Sequence, residues 1–262
     1  MGKFDQRLTL KPGLNEVDPG GLFKYIKGFA IVNITTAQEL EFKEEDAETG
    51  LVVLAGSCSL SIKGKEYADL GQRKDVFSGL PTGIYIPAQT AFILKGKQAL
   101  VAVCRSHCQV QTETAIFTPD KIKPIIVGKD NWSREVRMII GPESPAVNML
   151  VGETINFPGN WSGTPPHRHE VSNLPQESLH EELYYFSTDK PQGWGLERFY
   201  SPERGINELI FLEQNSITFM PWGYHQIAAG PGYNLHYLFF LSGEGKKLVG
   251  AEDPQHNWIK KP

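Results

Sequence analysis

The sequence predicts an all-β protein built as two β-barrel lobes, and three observations lead there. Short runs rich in Val, Ile, Tyr and Phe alternate with Gly, Pro, Asn and Asp, the pattern of strands and turns. Sustained helical periodicity is scarce. A weak theme of strand, Pro-turn, strand, strand occurs once in each half of the chain, as a duplicated barrel would show after long divergence.

The clearest strand runs are residues 50–61 (GLVVLAGSCSLS), 83–94 (GIYIPAQTAFIL) and 99–104 (ALVAVC) in the first half. In the second half they are residues 181–187, 193–200, 216–221 and 234–242. The recurring theme is IYIPAQTA at residues 84–91, followed by a strand at 100–104, and TFMPWGYH at 218–225, followed by a strand at 235–241. Residues 117–134 (FTPDKIKPIIVGKDNWSR) mix proline, lysine and polar residues, so they are expected to carry the chain between lobes. The expected division is residues 1–125 for an N-terminal lobe and 126–262 for a C-terminal lobe. The repeats differ chemically, because Ala91 stands where the second half has His225 and no His-x-His precedes it. A metal site is therefore expected in the C-terminal lobe alone.

Composition removes several function classes. With 40% hydrophobic and 21% charged residues, the chain has the make-up of a folded globular protein. Thirty acidic residues against 26 Lys plus Arg give a net charge of -4, so no basic field is available for a phosphate backbone and nucleic acid is not an expected partner. MGKFDQRLTL lacks an apolar signal core and no later run is long and apolar enough to span a bilayer, which makes the cytoplasm the expected location and leaves no membrane role. The odd number of cysteines (Cys58, Cys104, Cys108) argues for ordinary buried or half-buried thiols over a disulfide framework.

The richest segment is GTPPHRHEVSNLPQESLHEELYYF, residues 163–186. On an extended strand His167 and His169, two apart, project from one face and can share an ion. Pro165 and Pro166 stiffen the approach, an acidic pair opens the next strand run, and a third imidazole, His225, follows in the PWGYH turn. Nitrogen donors with one oxygen donor suit a divalent transition metal such as Zn, Mn, Fe, Co or Ni, whereas Ca or Mg sites are oxygen-rich. Four protein ligands on a six-coordinate ion leave two positions for substrate or water.

HRHE, then EELYYF, then PWGYH resembles the metal signature of the cupin superfamily. More narrowly, NLPQESLHEELYYF, PQGWGLERFY and the GYH turn are similar to the 5-deoxy-glucuronate isomerase family of bacterial myo-inositol catabolism, and more distantly to the ketol-isomerase that acts on deoxy-hexosulose-uronate. The first half (YADLGQRKDVF, GIYIPAQTAF, VAVC) resembles the metal-free lobe of the same family. The resemblance implies a bicupin, with jelly-roll-like lobes, and places the ligands on His167, His169, His225 and a glutamate. That glutamate is Glu181 or Glu182; only one of two neighbours on a strand can look into the barrel, and Glu181 aligns better with the family pattern.

The resemblance further implies an aldose-ketose isomerase converting 5-deoxy-glucuronate to 2-deoxy-5-keto-gluconate. Such chemistry moves a proton or hydride between adjacent carbons, and a metal with two open positions can chelate the carbonyl oxygen and neighbouring hydroxyl. Candidates for proton transfer are Glu177, Tyr184, Tyr185 and Tyr224. For the substrate carboxylate an arginine fork fits best, and Arg198 is preferred to Arg168, which alternation turns away from its flanking histidines towards a surface ion pair. His107, His180 and His236 are read as non-ligand residues. The competing readings are an iron-dependent cupin dioxygenase and a non-enzymatic sugar-binding barrel. The expected partner is a small sugar acid, and the family resemblance adds a homo-oligomer as an expectation.

Overall fold

The computed structural model describes residues 2–35 and 37–260, and among them no α-helix occurs, only strands and four short 3-10 turns. The chain divides into two compact units, neither of them one continuous segment. One comprises Leu8–Lys123 and Met138–Val151, the other Met1–Arg7, Pro124–Arg137 and Gly152–Pro262. The expected cut between 125 and 126 falls two residues from the crossing at 123/124, and further crossings lie at 7/8, 137/138 and 151/152. The first of these exists because strand Asp5–Arg7 pairs with strand Ser216–Met220, a long-range pairing with no local sequence signal.

In the unit that starts at Leu8, an eight-stranded sheet is organised around two 16-residue strands, Ala47–Ile62 and Phe92–His107. They pair along their length, from Ala47 opposite His107 to Ile62 opposite Phe92. The run expected over 83–94 is in fact broken after strand Thr82–Ile86 by the Pro87 turn, since proline has no N–H for a ladder. The strand expected at 99–104 is part of Phe92–His107. In the stretch Ser57-Cys58-Ser59-Leu60-Ser61-Ile62, Cys58, Leu60 and Ile62 are buried while the serines are only partly covered, the period-2 alternation of a strand with one face on a core. These residues join Val32, Leu51, Val53, Ile84, Phe92, Leu94 and Val101 in one hydrophobic cluster. All three cysteines are buried and free.

The other unit carries two sheets, except that residues 138–140 and 149–151 of two of the strands count with the first unit. The larger runs in the order Asp5–Arg7, Ser216–Met220, Glu177–Thr188, Leu235–Gly243, Met149–Asn156, Arg134–Ile140, Ile125–Val127, and Glu170–Asn173 pairs on Glu177–Thr188. The smaller is five-stranded: Ile206–Leu212, Gly195–Ser201, Tyr224–Ala229, Trp161–Arg168, Ala251–Glu252. The sheets meet face to face, with the Tyr184 ring of the larger 5.9 Å from the His225 ring of the smaller and the Tyr237 hydroxyl donating to Ser162 Oγ at 2.8 Å. Residues 117–134, which hold the crossing at 123/124, are themselves structured: Ile125–Val127 is a strand antiparallel to the start of Arg134–Ile140, flanked by 3-10 turns at Pro119–Lys121 and Asp130–Trp132. Among the described residues no helix is long and apolar enough to cross a membrane.

Candidate metal centre

Each histidine reaches the centre by a different local device. Strand Trp161–Arg168 pairs with Tyr224–Ala229 through Trp161 opposite Ala228 and Ser162 opposite Ile227, and the next paired residues are His167 and His225. Residues 163–166 therefore bulge out, and two of them, Pro165 and Pro166, could not have donated to the ladder. Past the bulge, direct pairing sets His167 and His225 on one face, with ring centroids 4.7 Å apart. His169 does not lie on that strand, as the sequence pattern implied, but in the single-residue break before Glu170–Asn173. Its Nδ1 hydrogen-bonds the His180 carbonyl at 2.8 Å, and its own carbonyl accepts from the His180 amide. Nδ1–H donating to that carbonyl fixes the ring so that Nε2 is aimed at the centre. His225 follows Gly223, whose φ of +83° and lack of space (an added Cβ would lie 2.9 Å from Phe199 Cε2 and the Tyr200 carbonyl) exclude other residues from the turn.

The three imidazoles offer ring nitrogens within 4.8 Å of one another, a group able to hold a metal ion. The acidic member is Glu182. Its Oε2 is 3.0 Å from His169 Nε2 and 3.4 Å from His225 Nε2. This corrects the preference for Glu181: the two pair with Ser242 and Leu241 respectively, and neighbours on a strand face opposite ways, so with Glu182 turned to the histidines Glu181 is turned from them. Neither ring nitrogen of His225 makes a hydrogen bond although the residue is buried. Buried polar atoms of that kind require an explanation, and coordination of a cation is the one that the surrounding donors suit.

The charges agree with this. Burial pushes His167 well below its ordinary value, and the neighbouring His225 and His169 push the same way, which favours the neutral imidazole that a metal ion requires. Burial also opposes a charge on His169, but its hydrogen bond to Glu182 outweighs that and raises it. Burial alone would raise Glu182; the hydrogen bond with His169 and the His225 imidazole 3.4 Å away hold it far below the usual carboxylate range, ionised and ready to balance a cation.

Of the four proton-transfer candidates, only Tyr184 lies in this centre, two residues from Glu182 on the same face and edge-on to His225. Burial, then the charges of Glu182 and Glu197, push its hydroxyl far up, which keeps it protonated. Tyr185 faces the other way and donates to Asn215 Oδ1 at 2.7 Å. Tyr224 neighbours His225 and so faces away, stacked 5.3 Å from Tyr200. Glu177 caps backbone, accepting from the amides of Glu170 and Val171 at 2.8 and 3.1 Å. Arg198 is also displaced from its expected role. Phe199 pairs with His225 and Arg198 with Gln226, which puts Arg198 on the opposite face, its guanidinium 4.0 Å over Tyr200 and its Nε donating to Asn207. Arg168 does turn outward as expected, to Glu170 at 3.1 Å and Glu203 at 3.2 Å.

Among the non-ligand histidines, His180 is buried between Ser178 and the Gly245 carbonyl. His236 is buried against Glu153 at 3.2 Å, which Arg137 also holds at 2.8 Å. His107 is half-exposed, 3.5 Å from Asp46.

Two features escaped the sequence. Glu170 Oε2 accepts the Gly223 amide at 3.0 Å, joining the residue after His169 to the turn before His225, and Arg168 and Arg204 flank the same carboxylate at 3.1 and 3.2 Å. The E in HRHE was visible, but its reach across 53 residues was not. The second is Glu197, which is fully buried.

Comparison with known proteins identifies the family of the chain. The model of the KduI/IolB family matches residues 11–259. The 5-deoxy-glucuronate isomerase of Bacillus velezensis is 33% identical over 90% of this chain and 88% of its own, and that of Geobacillus kaustophilus 32% identical over 88% and 85%. The crystal structure of an IolB-like protein from Salmonella typhimurium LT2 superposes with a TM-score of 0.93 at 25% identity, covering 98% of this chain and 99% of that one. An oxalate decarboxylase of Bacillus subtilis shares the fold at TM-score 0.67 and 10% identity, over 95% and 79%. The chain is thus an all-β protein of the cupin type that belongs to the KduI/IolB family.

Proposed function

We propose that the chain is a metal-dependent sugar-acid isomerase that converts 5-deoxy-glucuronate to 2-deoxy-5-keto-gluconate in inositol catabolism, the activity named for its relatives from Bacillus and Geobacillus. The observation that carries the reading is the convergence of His167, His169, His225 and Glu182 inside one barrel. These four would hold a divalent transition metal, which supplies Lewis acidity to a carbonyl and its neighbouring hydroxyl.

The chain's own groups do the rest. In the isomerisation one proton passes from the carbinol carbon to the former carbonyl carbon and one from the carbinol oxygen to the former carbonyl oxygen, with negative charge passing through an enediolate. Glu182, ionised, balances the positive centre. Tyr184, kept protonated by burial, donates its O–H to an oxygen on which charge develops. Apolar Phe199, Met220 and Leu241, all buried, keep water from the face that Glu182 and His225 share.

The test is incubation of metal-replete protein with 5-deoxy-glucuronate under argon, followed by NMR. Accumulation of the keto product without oxygen supports the isomerase and excludes a dioxygenase. No conversion, with bound metal verified, overturns the reading.

A further inference from the structure

Glu197 and Thr218 remain unexplained by the metal centre. Glu197 pairs with Ile227 and Phe199 with His225, so alternation puts Glu197 on the face that His225 occupies. Thr218 pairs with Tyr184 on the facing sheet and shares the side of Tyr184 and Glu182. Both are completely buried. No partner lies at hydrogen-bonding geometry for either Glu197 oxygen or for the Thr218 hydroxyl, although the two groups are near enough for the hydroxyl to favour the carboxylate. Buried polar groups are almost always satisfied by protein or by something bound. Here unsatisfied oxygens from two facing sheets and both unsatisfied nitrogens of His225 belong to one barrel interior.

We infer that Glu197 and Thr218 form a hydroxyl-binding subsite beside the metal centre, which takes hydroxyl groups of a polyhydroxy acid bound there. The inference rests on the proposed function for the identity of that acid. The groups suit it: a carboxyl and a hydroxyl each present donor and acceptor capacity to a C–OH group. A site built to bond hydroxyls rejects analogues that lack them, because its buried groups are then left unpaired. The subsite would therefore determine which sugar acid is accepted, while the metal centre performs the chemistry.

The near-isosteric variants Glu197→Gln and Thr218→Val test this in the full chain, loaded with metal. Metal content, KM and kcat with 5-deoxy-glucuronate, and calorimetric titration with D-glucuronate as a binding probe are measured. A rise in KM of tenfold or more for Thr218→Val, and a changed KM for Glu197→Gln, both at unaltered metal content, are expected. Unchanged KM and kcat in both variants would overturn the subsite, as would loss of metal from both. If the wild type fails to turn over 5-deoxy-glucuronate but binds D-glucuronate, and the variants bind it at least tenfold more weakly, the subsite stands and the proposed substrate falls. Failure of the wild type to bind or convert either sugar acid overturns both.

Discussion

Removing the Glu170 carboxylate should weaken metal binding without disturbing any proposed ligand. Its Oε2 accepts the Gly223 amide at 3.0 Å, and the hydrogen bond joins the two segments that carry His169 and His225. A hydrogen bond to a charged acceptor contributes about 1.5–3 kcal/mol. The Glu170 side chain is only 10% exposed, so little of that is lost to screening. The ion pair with Arg204, itself 41% exposed, adds at most a few tenths of a kcal/mol. If the loss appears as the cost of gathering the ligands, Glu170→Ala should weaken metal binding by about 10–150-fold. Glu170→Gln keeps an acceptor and loses the charge, so about 1 kcal/mol, or less than tenfold, is expected. Competition between protein and a chelator of known affinity measures both, and thermal unfolding of the metal-free proteins controls for general damage. A Glu170→Ala protein that binds within twofold of wild type would refute the clamp.

Further outcomes follow from the same geometry. Glu182→Gln should bind metal far more weakly, whereas Glu181→Gln should retain it; the reverse result in a metal assay would return the ligand role to Glu181. Arg198→Ala should leave KM unchanged and cost about 0.5–1 kcal/mol of stability from its stacking on Tyr200, and a KM raised more than threefold would put Arg198 back in the site. Burial, opposed by the Thr218 hydroxyl and aided by the Glu182 charge, raises Glu197 from its ordinary 4.5 to about 8. A folded-state value above the unfolded one means that its contribution favours the fold below about pH 4.5 and is lost as pH rises through about 8. Metal-free Glu197→Gln should therefore match wild type in Tm near pH 5 and exceed it at pH 9; a gap that does not widen would show Glu197 already ionised.

Strand content was legible because Val, Ile, Phe and Tyr runs with turn residues report local geometry directly. Thus 57-SCSLSI-62 could be read as an alternating strand with no knowledge of its partners. The division of the chain was less legible, because the pairing of Asp5–Arg7 with Ser216–Met220 depends on residues more than 200 positions apart. Arg198 and Tyr224 were misplaced because the side to which a strand residue points follows from register, and register is set by pairing partners.

The sequence by itself determined the all-β class and singled out the three imidazoles of the candidate centre, since HRH and PWGYH are each local in the chain. Only the tertiary structure decided which of two adjacent glutamates meets them, how a four-residue bulge at 163–166 brings His167 level with His225, and that Glu170 ties their loops together. The physical reason is that a strand's period of two makes facing a matter of parity. One residue of slip or bulge exchanges inside for outside, and the chain's own order does not record where that slip occurs.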